Sequence, residues 1–506
     1  MRTRHSRPSV ISRHRAILLA LASTAVTATT TTFICPRESN AGGFYIGDIG
    51  ARGMGRAGAF VAAPDSLLAI HYNPAALSYL RGFHFESSLT LNYWNTKIER
   101  TCPCVSSEQP DAAAIDQRLE AEFRNSPAQS GQALPVPFFA LGYGFEPYDL
   151  TVSFAAWGPN SGEHDYGIDP SSALGGSSSD AFEALSRRAP HRYSALLSKT
   201  SEVNFGIGFG LQPIERFRIG GVIMLFQNSS EQHLHLWANL ATLAGTAESP
   251  VFDAPLVFSF HRKVAIDWSL GCSYEILDGL TIGTSFRGKR SIRSQGTIDI
   301  SLTPVAETLG VEVTGREAEV ELNTAPILRA GIEYRQPQLF RVEAAVVVEG
   351  WSVYDRIVIR PRNVRFNFGE ESGVIPEVVE NVGWKDAYSF RLGGELNMFE
   401  PWVGLRGGYF FETSAVPPER LSPQRVDMNK HGFTLGAAST WSGVTLEASV
   451  MYVLLATQRV RNSEIGMIRP LEPPLGSDTL VTTIGNGIYS GNNFSAALSL
   501  AFALDG

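Results

Sequence analysis

KHGFTLGAASTWSGVTLEASVMYVLLAT, residues Lys430–Thr457, splits at Ser442-Gly443 into two halves that each alternate in polarity. After the dipeptide, Val444, Leu446, Ala448, Val450 and Tyr452 alternate with Thr445, Glu447 and Ser449. Successive side chains of an extended chain point to opposite faces, so this rhythm reads as a strand with one apolar and one polar face. Ser-Gly suits the tight turn between two such strands. The segment predicts an antiparallel hairpin, 430–441 and 444–457.

Outward from it the same unit recurs. Strands are expected at 83–98, 135–145, 149–158, 192–211, 216–230, 259–276, 280–290, 318–335, 340–352, 383–398, 402–414 and 491–503. Short turns such as Glu146-Pro147-Tyr148 and Leu277-Asp278-Gly279 alternate strictly with long connections at 99–134, 159–191, 231–258, 291–317, 353–382, 415–429 and 458–490. With the opening hairpin this makes fourteen strands. An even strand count with short turns at one end and long loops at the other is the pattern of a 14-stranded antiparallel transmembrane β-barrel. A soluble sandwich shows similar alternation but has no reason to sort its connections by length. In 383–398, Tyr388, Phe390, Leu392 and Leu396 oppose Ser389, Arg391, Glu395 and Asn397. A lipid-facing Arg or Lys at the midplane would cost about 2–4 kcal/mol, so the charged face belongs to the lumen.

Composition agrees. Charged residues are 18% of 506, below the roughly 25% of ordinary soluble chains. After the leader, no uncharged apolar run is long enough for a transmembrane helix. Arg2, Arg4, Arg7, Arg13 and Arg15 precede the apolar run Ala16–Ala28, which reads as a signal peptide. Removing residues 1–41 takes away six Arg and one Glu, so the net charge of −8 becomes −13. That balance argues against a nucleic-acid partner. Cys102-Pro103-Cys104 could hold a local bridge or simply be two loop cysteines. Three cysteines after the leader are too few for a disulfide framework.

Residues 42–82 break the rhythm. They are rich in Gly and Ala, and in a barrel this wide such a segment can sit inside as a plug. The chain therefore divides into a leader, 1–41, an N-terminal hatch, 42–82, and a barrel, 83–503. Gly53-Met54-Gly55-Arg56-Ala57-Gly58 matches a dinucleotide fingerprint. It lacks the buried strand before it and the acid about 20 residues on. Small residues for tight packing explain it better, and Gly206-x-Gly208-x-Gly210 on one strand face would make room beside the hatch. No nucleophile elbow, HExxH motif or paired CxxC is present, so no catalytic residue, metal or cofactor is expected.

The stretch Ala41–Leu80, with Gly43-Phe44, Gly55-Arg56-Ala57-Gly58-Ala59 and Asn73-Pro74-Ala75, resembles the start of the FadL/TodX family of outer-membrane fatty-acid and hydrocarbon channels. Trp384-Lys385-Asp386, Arg391-Leu392-Gly393, Leu405-Arg406-Gly407-Gly408-Tyr409 and Gly432-Phe433-Thr434-Leu435-Gly436 extend the resemblance over most of 41–503. It implies a monomeric channel in the outer membrane, among its lipids, taking up long-chain fatty acids or other hydrophobic molecules. Ligand would be captured at the outer loops, pass to a lumen pocket above the hatch, and leave sideways at an inward kink of the third strand. Ala155, Ala156, Trp157, Gly158 and Pro159 are the candidates for that kink. Such barrels end on an aromatic residue read by the barrel-assembly machinery. Here Phe502 is followed by four more residues, a departure from the pattern.

Three lumen-face cations, Arg329, Arg391 and Arg406, are candidates for a ligand carboxylate, since guanidinium offers it a fixed fork. Against this stands a ladder of structural ion pairs with Glu333, Glu395 and Glu447. Leu234, Leu236 and Trp237, in the expected loop 231–258, are candidates for the outer capture groove. Asn73, with an amide that both donates and accepts, is expected to pair with backbone groups freed by the third-strand kink. The alternative reading is a general porin or a structural barrel.

Overall fold

A strand that must face lipid on one side and a filled lumen on the other alternates because each face has one solvent, and that is what the wall shows. Ile266 is 73% exposed on the outside while its neighbour Asp267 is 2% exposed within. The computed structural model describes residues 47–102, 113, 114, 117, 120, 121, 127–158, 162–166, 189–236, 253–261, 264–302, 304–308, 310–368, 371–399, 403–466 and 483–504. The leader, Gly43-Phe44, Pro159 and Trp237 lie outside the described residues.

Fourteen strands close the barrel, in chain order: β1 Gly82–Arg100, β2 Ala128–Phe145, β3 Leu150–Trp157, β4 Leu197–Ile214, β5 Phe217–Leu236, β6 Ala265–Leu277, β7 Leu280–Arg287, β8 Ile327–Gln336, β9 Phe340–Glu349, β10 Ala387–Phe399, β11 Val403–Glu412, β12 Lys430–Trp441, β13 Val444–Leu455 and β14 Gly487–Leu504. Each pairs antiparallel with the next. β14 returns to β1, from Phe83 opposite Leu504 to Arg100 opposite Gly487, so no sheet edge faces the lipid at that seam. Ser442 and Gly443 have φ of 51° and 82°, the left-handed pair that a two-residue hairpin turn requires.

The wall rises higher than the alternation suggests. Parts of the expected loops 231–258, 291–317 and 353–382 are strand. β5 runs on to Leu236, and Ala254–His261, Arg290–Ile300, Glu317–Thr324, Arg356–Arg362 and Val378–Asn381 continue the ladder. There the outward face carries polar residues such as Ser291, Arg293 and Gln295, so the apolar-out, polar-in signal fades.

β3 is the exception to a continuous wall. It pairs with β2 up to Trp157 opposite Phe138, and with β4 up to Trp157 opposite Asn204. The chain rejoins β4 at Gly162 opposite Thr200, so five residues advance against four. The register is thus shifted by one residue between the two paired stretches. Among the described residues, β2 above Phe138 has no hydrogen-bonded neighbour on this side.

Residues 47–81 lie against the inner faces of the strands, in the half nearer the short turns. They form α1, Ala51–Gly55, α2, Ala69–Tyr72, and a 3-10 turn, Pro74–Tyr79. Phe60, Leu68, Ile70, Tyr72 and Leu77 are buried there. Glycines on the wall admit the segment: a Cβ at Gly220 would lie 2.4 Å from the Pro74 carbonyl, and one at Gly393 2.0 Å from that of Arg56. Gly208 and Gly210 of β4 likewise abut Ile70 and Ser78. Gly53 backs onto the Tyr72 hydroxyl and Gly58 onto Asp48, which is the packing role expected of that glycine run.

Candidate functional site

The lower lumen is an ion-pair lattice between segment 47–81 and the wall. Arg56 meets Glu333 at 2.7 Å, and Arg341 meets Glu333 at 2.8 Å and Asp65 at 2.7 Å. Arg391 binds Asp48 at 2.7 Å, and Glu343 accepts the N–H groups of Val61 and Ala62 at 2.6 and 3.2 Å. Buried charges are tolerated only when paired, so the segment and the wall hold each other in place. Arg406 reaches Glu395 at 3.1 Å and Glu447 at 2.8 Å, the ladder weighed against a ligand role. Arg391 and Arg406 are thus committed to carboxylates of the protein.

Asn73 is buried and holds three partners. Its amide donates to the Val61 carbonyl at 2.8 Å and the Cys272 carbonyl at 3.2 Å, and its oxygen accepts the Ala75 N–H at 3.2 Å. Pro74 follows as the first residue of the 3-10 turn, where its fixed φ fits and no N–H is missed. The expectation that Asn73 serves the third strand is corrected. Its wall partner is on β6, three strands along from β3, because packing of Pro74–Ser78 against Gly210 and Gly220 turns the Asn73 amide that way. Other residues of the segment meet the third strand: the His71 ring lies 6.3 Å, edge-on, from that of Trp157, and the Leu80 carbonyl accepts the Thr151 hydroxyl at 3.0 Å.

Ala155 and Trp157 face inward and are buried with Leu68, Ile70, Phe138 and Met224; Ala156 is buried too, and Gly158 ends the paired stretch.

Above segment 47–81 the lumen wall turns apolar. Leu234 and Leu236 of β5 join Leu256, Phe258, Phe260, Ile298, Val320 and Trp384 in one buried cluster. These two leucines are therefore corrected from loop to strand and from outer surface to lumen. The alternation at 254–258 carried the signal for Leu256 and Phe258, but it sits in a stretch that reads as loop, whereas Phe260 and Val320 fall within the expected strands 259–276 and 318–335. The connections cover this cluster from outside. Arg192 binds Asp253 at 2.7 Å, and Tyr193 donates to the same carboxylate at 2.8 Å. Burial, with Arg192 and Arg100 nearby, pushes the His191 imidazole down to about 3, so this cap carries a neutral ring. Cys102, at the start of the first long connection, is disulfide-bonded.

At the floor of the apolar layer, charges are mostly matched. Arg287 meets Asp267 at 2.6 Å, Arg290 meets Glu202 at 2.7 Å, and Lys430 meets Glu412 at 2.8 Å. Arg329 differs. It is 6% exposed, points into the lumen from β8, and among the described residues makes no ion pair. His71, Tyr72 and Glu349 lie within its electrostatic reach. Glu349, however, accepts the Trp351 indole N–H at 2.7 Å. A hollow of about 560 Å³ elsewhere, lined by Leu89, Pro137, Leu446, Ala448 and Leu498, lies on the lipid-facing wall and is no part of the lumen.

Residues 188–493 match the model of a family described as outer membrane protein transport protein (OMPP1/FadL/TodX). No curated protein sequence matches the chain. Among solved structures, a Pseudomonas aeruginosa FadL homologue aligns with a TM-score of 0.68 at 12% identity, covering 92% of this chain and all of that one. The Pseudomonas putida toluene transporter TodX aligns at 0.61 and 14%, covering 91% and 100%. The Ralstonia pickettii toluene transporter TbuX aligns at 0.56 and 14%, covering 90% and 99%. At such identities the likeness shows the fold.

Proposed function

The chain belongs to the outer membrane protein transport protein family (OMPP1/FadL/TodX), outer-membrane channels built on a 14-stranded barrel, and from that premise we propose that its cargo is a long-chain fatty acid or a similar amphiphile with one carboxylate. The observation that carries the reading is Arg329, a buried lumen guanidinium with no ion pair among the described residues, at the floor of an apolar layer. A carboxylate on an alkyl tail would satisfy both halves at once: the tail against Leu234, Leu256, Phe258 and Phe260, the head on the fork of Arg329. A pure hydrocarbon would leave that cation bare.

In this reading residues 42–82, freed from a leader of 1–41, act as the hatch that closes the lower lumen, and cargo leaves through the wall. The one-residue register shift between Trp157 and Gly162, and an upper half of β2 that has no backbone pairing on this side among the described residues, support a lateral route. An open porin is disfavoured by the same hatch, which fills the path toward the periplasm. The test is mass spectrometry of lipids extracted from the protein purified in mild detergent. Free fatty acids should be enriched over membrane phospholipid. Recovery of neutral hydrocarbons alone would replace the carboxylate reading.

A further inference from the structure

Two prolines stand where a transmembrane strand should not have them. Pro135 and Pro137 lie within β2, opposite Leu91 and Leu89 of β1 in unbroken register. Backbone groups of successive residues in an antiparallel strand point alternately to its two neighbours. Thr101 donates its N–H to the Asn486 carbonyl at 2.9 Å, one step beyond the pair Arg100–Gly487. Odd-numbered residues of β1 therefore bond to β14. Leu89 and Leu91 are odd, so their partners Pro137 and Pro135 turn their backbone groups away from β1, toward β3. The far end of the β2–β3 hairpin agrees: Gln212 donates to the Asp149 carbonyl at 3.2 Å, which puts odd residues of β3 on β4 and odd residues of β2 on β3.

On that side β2 is paired, among the described residues, only as far as Phe138 opposite Trp157. The first two ladder positions beyond the last pair, 137 and 135, thus carry carbonyls but no N–H. Both prolines spare the β1 ladder and strip donors only from the edge at the break. Proline is otherwise confined to strand edges, which is the role β2 has here and nowhere lower. We propose that Pro135 and Pro137 are positioning residues of the lateral opening: they keep β2 from zipping onto the chain that follows Trp157, and so hold the wall apart beside the apolar layer. This rests on the lateral route proposed above. Without them the chain after Trp157 could extend its ladder with β2.

The test uses the full-length protein in its membrane with Pro135→Thr and Pro137→Thr combined. Two restored backbone bonds shift the ratio of zipped to open edge by roughly thirty-fold. Amide hydrogen exchange read by mass spectrometry at positions 135 and 137 should show protection matching that of the paired residues of β2. Uptake of labelled oleic acid, at equal amounts of heat-modifiable folded barrel, should fall about ten-fold. New amides that exchange as freely as an unpaired edge overturn the inference, whatever uptake does. Protected amides with normal uptake leave the role of the prolines standing and overturn the lateral route instead. Pro137→Ala alone, which restores one donor, serves if the double variant assembles poorly.

Discussion

Replacing Arg329 by Met separates the carboxylate reading from a purely apolar one. Met keeps most of the aliphatic stem and removes only the guanidinium. A hydrogen bond to a charged group contributes about 1.5–3 kcal/mol, which is roughly ten- to 150-fold in affinity. Arg329 makes no ion pair among the described residues, so its loss strands no carboxylate and the folded barrel should form in normal amounts. Arg406→Met is the contrasting control. It would leave Glu447 without its ion-pair partner and Glu395 with only Arg52, at 3.4 Å, and cost about 3–5 kcal/mol of stability. The assay is equilibrium binding of a long-chain fatty acid and of its methyl ester to purified barrel in mild detergent. Arg329→Met should weaken the acid by at least about ten-fold and leave the ester within about two-fold. Equal weakening of both ligands, or of neither, would refute the argument.

Arg341→Met removes a cation shared by Glu333 and Asp65, and should loosen the N-terminal segment by about 3–5 kcal/mol. Planar-bilayer recordings should then show openings that the parent protein lacks, and silence in both would count against a plug. Gly220→Val places side-chain atoms where the Pro74 carbonyl sits and should expose the segment to added protease while the barrel stays heat-modifiable. Asn73→Ala gives up bonds to Val61, Ala75 and Cys272 and leaves their groups buried, a loss of about 1–3 kcal/mol that thermal unfolding would read. The outer cap should weaken in mild acid. His191 is held down to about 3 against a usual 6.5, so below pH 6.5 an opened cap takes up a proton that the closed cap refuses. Loop cleavage on intact cells should be faster at pH 5 than at pH 7.5; equal rates would mean the ring is not shielded.

Much of this was legible in the chain itself. The two-residue rhythm and the sorting of connections by length determined a fourteen-stranded barrel, because a wall between lipid and a polar lumen forces each strand to alternate and each hairpin to choose an end. The lumen placement of Arg329, Arg391 and Arg406 followed from the same parity. Tertiary structure decided what those residues do. Arg391 and Arg406 are spent on Asp48, Glu395 and Glu447, while Arg329 is not, and parity alone cannot tell a paired cation from a bare one. Asn73 reaches β6 rather than β3 because the segment's path is set by packing against Gly220, Gly283 and Gly393, contacts between residues far apart in sequence. Leu234 and Leu236 line the lumen because the wall rises past the apolar band, where the outward face turns polar. Which edge Pro135 and Pro137 disarm depends on the hydrogen-bond phase of three strands together, a property no single strand carries.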